Sequence, residues 1–167
     1  MNTKKLTTTA LLTALAMLIP YVVIFKVTIP PFTATIGAHL PMFISMYLGP
    51  KAAIMVGLGS ALGFGMNVGP LVGARAFMHV FVGIIGSLLL KKNVSFNKVI
   101  AITAPIHGFL EMFVIMPFVK IDVYQLLVIT CVGTIIHHCI DGLISVLILK
   151  FLPNNIFADF NLQKQNS

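Results

Sequence analysis

The most constraining feature of the sequence is a twenty-residue run from 71 to 90 whose single formally charged residue is Arg75. A helix of this length spans about 30 Å, which matches the hydrocarbon core of a bilayer. A cation at such depth costs at least a few kcal/mol, so it normally faces a cavity or a partner. His79 follows four residues later, on the same face of the predicted helix. The run therefore predicts a membrane helix whose polar stripe faces the protein interior.

Composition supports the same class of protein. Hydrophobic residues make up 58% of the 167 residues and charged residues only 9%, whereas soluble domains carry about a quarter. The long apolar runs lack the alternation of a β-barrel, so the spans are predicted to be helices. The net charge of +7 comes from lysines at the ends of these runs, which argues against a nucleic-acid patch. Cys131 and Cys139 form no CxxC motif and are interpreted as packing residues.

We predict an all-α membrane protein with a single six-helix domain, 1–167. Pro30-Pro31 falls in a predicted ordered outer loop, 26–35, and the glycine-rich third helix suits close packing. Pro153 is expected to end the last helix before a polar cytoplasmic tail, 151–167. The predicted helices are 6–25, 36–48, 51–66, 71–90, 99–118 and 123–150.

The lysines predict the orientation of these helices. With a cytoplasmic N-terminus, eight lysines fall on the inner side and only Lys26 and Lys120 on the outer side. The positive-inside rule then places both termini in the cytoplasm of a bacterial cell, with the protein in the cell membrane as a multi-pass protein. The connections 26–35, 67–70 and 119–122 are expected outside.

The predicted orientation places the buried polar groups in one column. Arg75 and Glu111 lie at matching depth, about 8 to 10 Å below the outer face, so their side chains can meet. A membrane-buried polar group needs a partner, which water or a solute can supply. The simplest account is an outward-facing pocket for a small polar solute. The deeper members of the column are His79, His107, His137, His138 and Asp141.

Several of these residues have two interpretations. Arg75 and Glu111 are either part of a binding site or a structural ion pair that joins two helices. His107 and Glu111, four residues apart, either bind a ligand or hydrogen-bond each other.

His137 and His138 point about 100° apart, so only one is expected to face the pocket, and His138 is favoured. His39 is interpreted as a hydrogen-bonding residue at a helix end. Asn67, in the turn before the Arg75 helix, is a candidate binding residue, and Phe32 in the outer loop is a candidate cap.

Other chemistries are less well supported. We predict no metal, cofactor or catalytic residue, because no helix carries an HxxxH pair and no zinc-type Cys/His spacing occurs. A hydrolase would need a serine beside a histidine, and nothing in the spacing indicates that. A proton-coupled carrier is a rival, since the histidines and Asp141 could relay protons, but six helices without an inverted repeat are few for a carrier. A structural membrane subunit is the remaining alternative.

Four segments carry a resemblance to a known family. They are the Ala10 and Ala14 pair, the loop IPPFTAT, and the stretches GAHLPMFISMYLGPKAAI and GPLVGARAFMHVFVG. Together they make the whole chain resemble the S components of energy-coupling factor (ECF) vitamin transporters, and most of all the niacin-specific members. S components for pantothenate or hydroxymethylpyrimidine share the same plan.

The resemblance implies a vitamin-capture subunit that has no ATPase of its own. Its partners would be a transmembrane coupling subunit and two cytoplasmic ATPases, with Ala10 and Ala14 facing the coupling subunit. The outer loop would act as a lid. A guanidinium can clamp a carboxylate through two N–H groups, so Arg75 is the expected clamp for an anionic vitamin. The expected lid residues are Pro30, Pro31, Phe32 and Thr33, and the expected binding residues are Arg75, His79, Glu111, His107, His138 and Asn67.

Overall fold

The computed structural model describes residues 1–151, which form a helical bundle with one two-stranded hairpin. The all-helical prediction is confirmed, while the expected stop at Pro153 and the tail lie outside the described residues. A 3-10 turn covers Met116–Phe118 and a π-helical segment covers Leu127–Val132. The elements are α1 (Thr3–Val22), β1 (Lys26–Ile29), β2 (Phe32–Thr35), α2 (Leu40–Leu48), α3 (Pro50–Asn67), α4 (Pro70–Phe77), α5 (His79–Lys91), α6 (Phe96–Ile115), α7 (Val123–Leu126) and α8 (Gly133–Phe151).

Four stretches in the described part of the chain are long and apolar enough to cross a membrane. The second stretch comprises α4 and α5, which the sequence predicted as one helix. They are separated at Met78, whose N–H bonds to the carbonyl of Arg75 in a tightened turn. The number of spans therefore stays a prediction, since α2 and α3 are not among the four. The stretches are Thr3–Val22, Pro70–Lys91, Phe96–Phe118 and Val123–Phe151.

Helix α2 is a core element. Its nine residues extend about 14 Å, which is too short to cross a bilayer. Pro41 in the first turn starts the helix, so it begins later than the predicted residue 36. Met42, Phe43 and Met46 are buried against residues of α5, α6 and α8. The segment between the hairpin and α2 is therefore held in the middle of the bundle.

Glycines allow α1 and α3 to pack closely, as the sequence predicted for the third helix. A Cβ on Gly59 would lie 2.6 Å from Cγ2 of Thr13, and one on Gly63 would overlap the backbone of Met17. Ala10 and Ala14 are exposed on another face of α1. The small residues of α1 are thus left available at the surface, while those of α3 make the contact.

The predicted outer loop is a β-hairpin. Strands β1 and β2 pair antiparallel, with Ile29 opposite Phe32, and a cis peptide bond joins Pro30 and Pro31. Several residues of both strands are β-branched, a type that favours extended pairing. All four residues of β1 are exposed, whereas Phe32 and Thr35 of β2 are buried. The hairpin therefore contacts the bundle through its second strand.

Two further glycines bring α6 against α8 and the π-helical segment. A Cβ on Gly108 would lie 2.7 Å from the carbonyl oxygen of Cys131, and one on Gly142 would lie 2.7 Å from Ile100. A larger residue at position 108 would push α6 away from the backbone at Cys131, and one at position 142 would displace the side chain of Ile100. The close approach lets short polar side chains on α6 and α8 meet directly.

Candidate functional site

The centre of the site is an ion pair between α4 and α6. Arg75 donates to Oε2 of Glu111 from Nη2 at 2.7 Å and from Nε at 3.0 Å. Arg75 is 3% exposed and Glu111 is 5% exposed, so water screens this pair poorly. The structure brings together the two charges that the sequence placed at the same depth.

The hairpin covers the opposite side of the guanidinium. Nη1 of Arg75 donates to the carbonyl of Pro31 and to the hydroxyl of Thr33, and Nη2 donates to the carbonyl of Thr33, each at 3.2 Å. The ring centroid of Phe32 lies 5.3 Å from Cζ of Arg75, within the range of a cation–π contact. Three of the four predicted lid residues, Pro31, Phe32 and Thr33, thus contact the predicted clamp.

The two oxygens of Glu111 have different surroundings. Oε2 accepts from Arg75 and also from the hydroxyl of Thr134 on α8, at 2.5 Å. Oε1 lies 3.3 Å from Nε2 of His107, one helical turn earlier on α6. That nitrogen has no hydrogen-bond partner among the described residues, so the two atoms are close together but do not form a hydrogen bond.

All five histidines form one cluster around His39. Its ring centroid lies 4.5 to 5.3 Å from those of the other four, which come from α5, α6 and α8. His39 does lie at the N-cap of α2, as predicted, but its ring makes no cap hydrogen bond and lies in the core instead. The sequence did not predict this central position, because it depends on how the hairpin leads into α2. The other members are His79, His107, His137 and His138.

Asp141 on α8 ties the start of α2 to this cluster. Oδ1 accepts from the backbone N–H of Gly37 at 2.7 Å, and Oδ2 accepts from the backbone and ring nitrogens of His39 at 3.1 and 2.8 Å. Nε2 of His137 lies 3.2 Å from the same oxygen. Asp141, predicted as one of the deeper members of the polar column, is fully buried and belongs to this network.

Only one of His137 and His138 lines the cavity, as predicted, but it is His137 and not the favoured His138. The hairpin covers one side of α8 and α6 covers another, so two neighbouring directions are both interior. His137 bonds to the carbonyl of Thr35 at 3.0 Å and lines a cavity beside Arg75. His138 was the favoured pocket residue, but it lies behind, against Thr103 at 3.0 Å and His107 at 3.1 Å.

The remaining two candidates lie in different places. His79, at the start of α5, is 3% exposed, contacts Oγ of Ser60 at 2.9 Å and lines the cavity. Asn67 is exposed at the end of α3, where its side chain donates to the carbonyl of Pro20. Asn67 therefore joins α3 to α1 and does not line the cavity, because its turn lies to the side of the hairpin.

The cavity between the hairpin and the bundle is small. Its volume is about 30 Å³, which is enough to hold a water molecule. A second cavity of about 560 Å³ has mostly apolar walls and lies between the hairpin and α8, with His137 on the wall of both. The small cavity is lined by Thr33, Thr35, Ala38, His39, Phe64, Val72, Arg75, Ala76, His79, Glu111 and His137.

Three groups of side chains in the described region have donor atoms within 4.8 Å of one another, close enough to hold a metal ion. The sequence predicted no metal, on the ground of spacing within single helices. Spacing could not detect these groups, because each draws its donors from at least two elements. They are His39, His107 and His138; His39, His137 and Asp141; and His79, His107 and Glu111.

Comparison with known proteins identifies the family. No family model and no solved structure matches the chain. The niacin transporter NiaX of Lactococcus lactis subsp. cremoris (strain MG1363) is 31% identical over an alignment of 172 positions, which covers 89% of this chain and 76% of that protein. This likeness extends over nearly the whole bundle and confirms the family that the sequence motifs indicated. The chain therefore belongs to the NiaX family of S components and is a multi-pass protein of the cell membrane.

Proposed function

We propose that this protein captures nicotinate outside the cell for an ATP-driven ECF importer. The observation that carries the proposal is the set of partners of Arg75. Its guanidinium is buried, and within residues 1–151, apart from the bonds to Glu111, its N–H groups donate only to oxygen atoms of the hairpin. The name of the similar niacin transporter supports the choice of vitamin. The protein itself acts as a receptor, and ATP is hydrolysed by separate subunits.

The hairpin oxygens occupy the positions that a ligand carboxylate would take. Their 3.2 Å distances to the guanidinium are longer than the 2.7 Å bond to Glu111. A carboxylate makes shorter and stronger charge-assisted bonds than neutral carbonyl or hydroxyl groups do. Nicotinate would therefore replace the contacts of Pro31 and Thr33 with a better pair of acceptors.

Binding in this way requires the hairpin to move. A cavity of about 30 Å³ holds water but not a pyridine ring. The hairpin is suited to movement, because β1 is exposed along its whole length and β2 supplies the contacts to Arg75. The lid residues hold the N–H groups of Arg75, so the hairpin must open before a carboxylate can replace them.

The cavity walls suit the rest of the vitamin. Phe64 on the wall of the small cavity presents an aromatic side chain against which a pyridine ring can pack. The ring nitrogen of nicotinate is a hydrogen-bond acceptor, and the cavity wall carries the imidazole of His79. Pantothenate has the same carboxylate but lacks the aromatic ring that these walls would contact.

Calorimetry on the purified protein tests the proposal. Nicotinate should bind, and nicotinamide should bind at least about 30-fold more weakly, because it loses about 2 kcal/mol of charge-assisted hydrogen bonding to Arg75. Arg75→Lys keeps the charge but loses the planar fork, so it should also weaken nicotinate binding. Equal affinity for the acid and the amide, or tighter binding of pantothenate, would overturn the assignment.

The exposed face of α1 is the proposed contact with the coupling subunit. Ala10 and Ala14 are exposed there, and small residues allow a partner helix to approach closely in a membrane. We expect six spans and cytoplasmic termini in the assembled importer.

Paired variants separate this contact from ligand capture. Ala10→Leu with Ala14→Leu should abolish nicotinate uptake by cells that express the whole importer, while binding by the purified protein is unchanged. Ala101→Leu, at an exposed alanine of α6, is the matched control and should leave uptake intact. Normal uptake by the double variant would refute the α1 contact.

A further inference from the structure

One nitrogen in the histidine cluster has an unusual environment. Nε2 of His107 is fully buried and makes no hydrogen bond, yet it lies 3.3 Å from the carboxylate oxygen Oε1 of Glu111. A buried polar atom without a partner costs about 1 to 3 kcal/mol, so such an atom indicates a missing partner.

A chain of hydrogen bonds determines which atoms of His107 carry protons. We assign the single proton of the Thr103 hydroxyl to its 2.7 Å bond with the carbonyl of Val99, so that its oxygen accepts from Nε2 of His138, 3.0 Å away. Neutral His138 then has a lone pair at Nδ1. Nδ1 of His107 lies 3.1 Å from Nδ1 of His138 and therefore donates its N–H to that nitrogen.

The consequence is a lone pair at Nε2 of His107. This lone pair faces an oxygen of the Glu111 carboxylate, so two electron-rich atoms are in contact in the core. In this assignment the contact is favourable only with a cation, either a proton or a metal ion, between the two atoms. His79 supplies a third donor, since one ligand atom each of His79, His107 and Glu111 lie within 4.8 Å of one another.

We propose that His79, His107 and Glu111 bind a divalent transition-metal ion of the zinc class. Two ligands about 2.05 Å from a tetrahedral ion lie about 3.3 Å apart, which matches the distance between His107 and Glu111. Two imidazole nitrogens and one carboxylate oxygen form a donor set that zinc accepts. His79 and Glu111 also line the small cavity, which connects it with the proposed site.

The atoms behind these three ligands support the assignment. Metal-binding histidines and carboxylates are normally held by a second hydrogen bond on the far side. Here Ser60 contacts Nδ1 of His79 at 2.9 Å, His138 accepts from Nδ1 of His107, and Arg75 holds the other oxygen of Glu111. Each of the three side chains is thereby held on the side away from the proposed ion.

The charge of the network favours a divalent ion. If the histidines are neutral, the positive charge of Arg75 balances the negative charge of Glu111. The buried carboxylate of Asp141 then gives the network a net charge of −1. A divalent ion together with one bound monoanion makes the network neutral, which a low-dielectric core favours. A single proton on His107 would relieve the same contact with Glu111, but it would make no use of His79.

The other two groups of donors are weaker candidates. In the group around Asp141, the carboxylate already accepts from backbone and ring nitrogens of His39 and lies near His137, so it needs no ion. The group of His39, His107 and His138 would require Nδ1 of His107, which the hydrogen-bond chain has already assigned as a donor.

Titration of tag-free, chelator-treated protein in detergent with Co²⁺ and Zn²⁺ tests the site. We expect one ion per chain by elemental analysis and the intense visible absorption of tetrahedral Co²⁺. His107→Asn keeps a donor towards His138 but lacks Nε2, so it should bind the ion at least about 100-fold more weakly. His137→Gln is the matched control from the same cluster and should bind the ion normally.

Each other outcome would overturn the site. Absence of ion binding by the wild-type protein would show that a proton occupies the position, and binding retained in His107→Asn or lost in His137→Gln would place the ion elsewhere. Should His107→Asn unfold, His79→Ala on the cavity wall is the second variant, with a loss of at least about tenfold expected. No vitamin is present in these titrations, so their failure and a failure of nicotinate binding are independent results.

Discussion

The two buried carboxylates of the bundle are held by different kinds of partner. Glu111 faces a guanidinium that is always charged, together with one hydroxyl. Asp141 faces no arginine or lysine of residues 1–151, and it accepts from the backbone of Gly37 and His39 and from imidazole rings. The first arrangement compensates a charge, and the second supplies hydrogen bonds to a turn of the chain.

This difference separates a binding role from a structural role. The partners of Asp141 belong to the segment that leads from the hairpin into α2, so the carboxylate anchors that segment to α8. The partners of Glu111 include Arg75, whose remaining donors are held by exchangeable hairpin contacts. A ligand can therefore bind beside Glu111 without breaking the anchor at Asp141.

The largest expected effect is on the ion pair. Glu111→Leu leaves Arg75 buried without its carboxylate, so the free energy of unfolding should fall by about 3 to 5 kcal/mol. Arg75→Leu combined with Glu111→Leu should recover most of that loss, since no charge is then stranded, but should not bind nicotinate. Denaturant unfolding in detergent and calorimetry measure the two quantities. Full nicotinate binding by the double variant would show that the pair serves only assembly.

A smaller effect is expected at Asp141. Asp141→Asn retains one acceptor oxygen for the backbone of the α2 turn but loses the charge and one acceptor, so it should cost about 1 to 3 kcal/mol of unfolding free energy. Nicotinate affinity should stay within about threefold of the wild-type value. A variant of normal stability that does not bind nicotinate would contradict the separation of the two roles.

The smallest effect concerns hydroxyl groups on α8. Thr134→Val removes a hydrogen bond to the ionised Glu111 and should cost about 1.5 kcal/mol. Ser145→Ala removes a bond from Ser145 to the carbonyl of Asp141 in the same helix, so it should change stability by less than about 0.5 kcal/mol. Thermal unfolding of the two variants side by side gives the comparison. Equal losses would mean that the surroundings of Glu111 are not special.

The ion pair could be predicted from the sequence because helix geometry relates residue number to depth. Once the apolar runs are taken as membrane helices, Arg75 and Glu111 fall at the same level, and a buried charge needs a partner. The close packing of the third helix followed from its glycines in the same way. These inferences need the rise of a helix but no detail of how helices are rotated.

The sequence predictions were wrong where the outcome depends on how a helix is rotated about its axis or on where its backbone is interrupted. His138 was favoured over His137, but the hairpin and α6 cover both directions from α8. Asn67 was expected in the site, but its turn lies against the end of α1. The break at Met78 and the π-helical segment also depend on local hydrogen bonding that no apolar pattern shows.

The sequence by itself determined the class of protein, the apolar helices and the presence of a buried cation that needs an anion. Those properties follow from hydrophobicity and residue spacing, which are local. Only the tertiary structure placed His39 at the centre of five histidines and closed the hairpin over Arg75. These contacts join residues far apart in the chain, and they depend on how short helices and glycine contacts orient each side chain within the bundle.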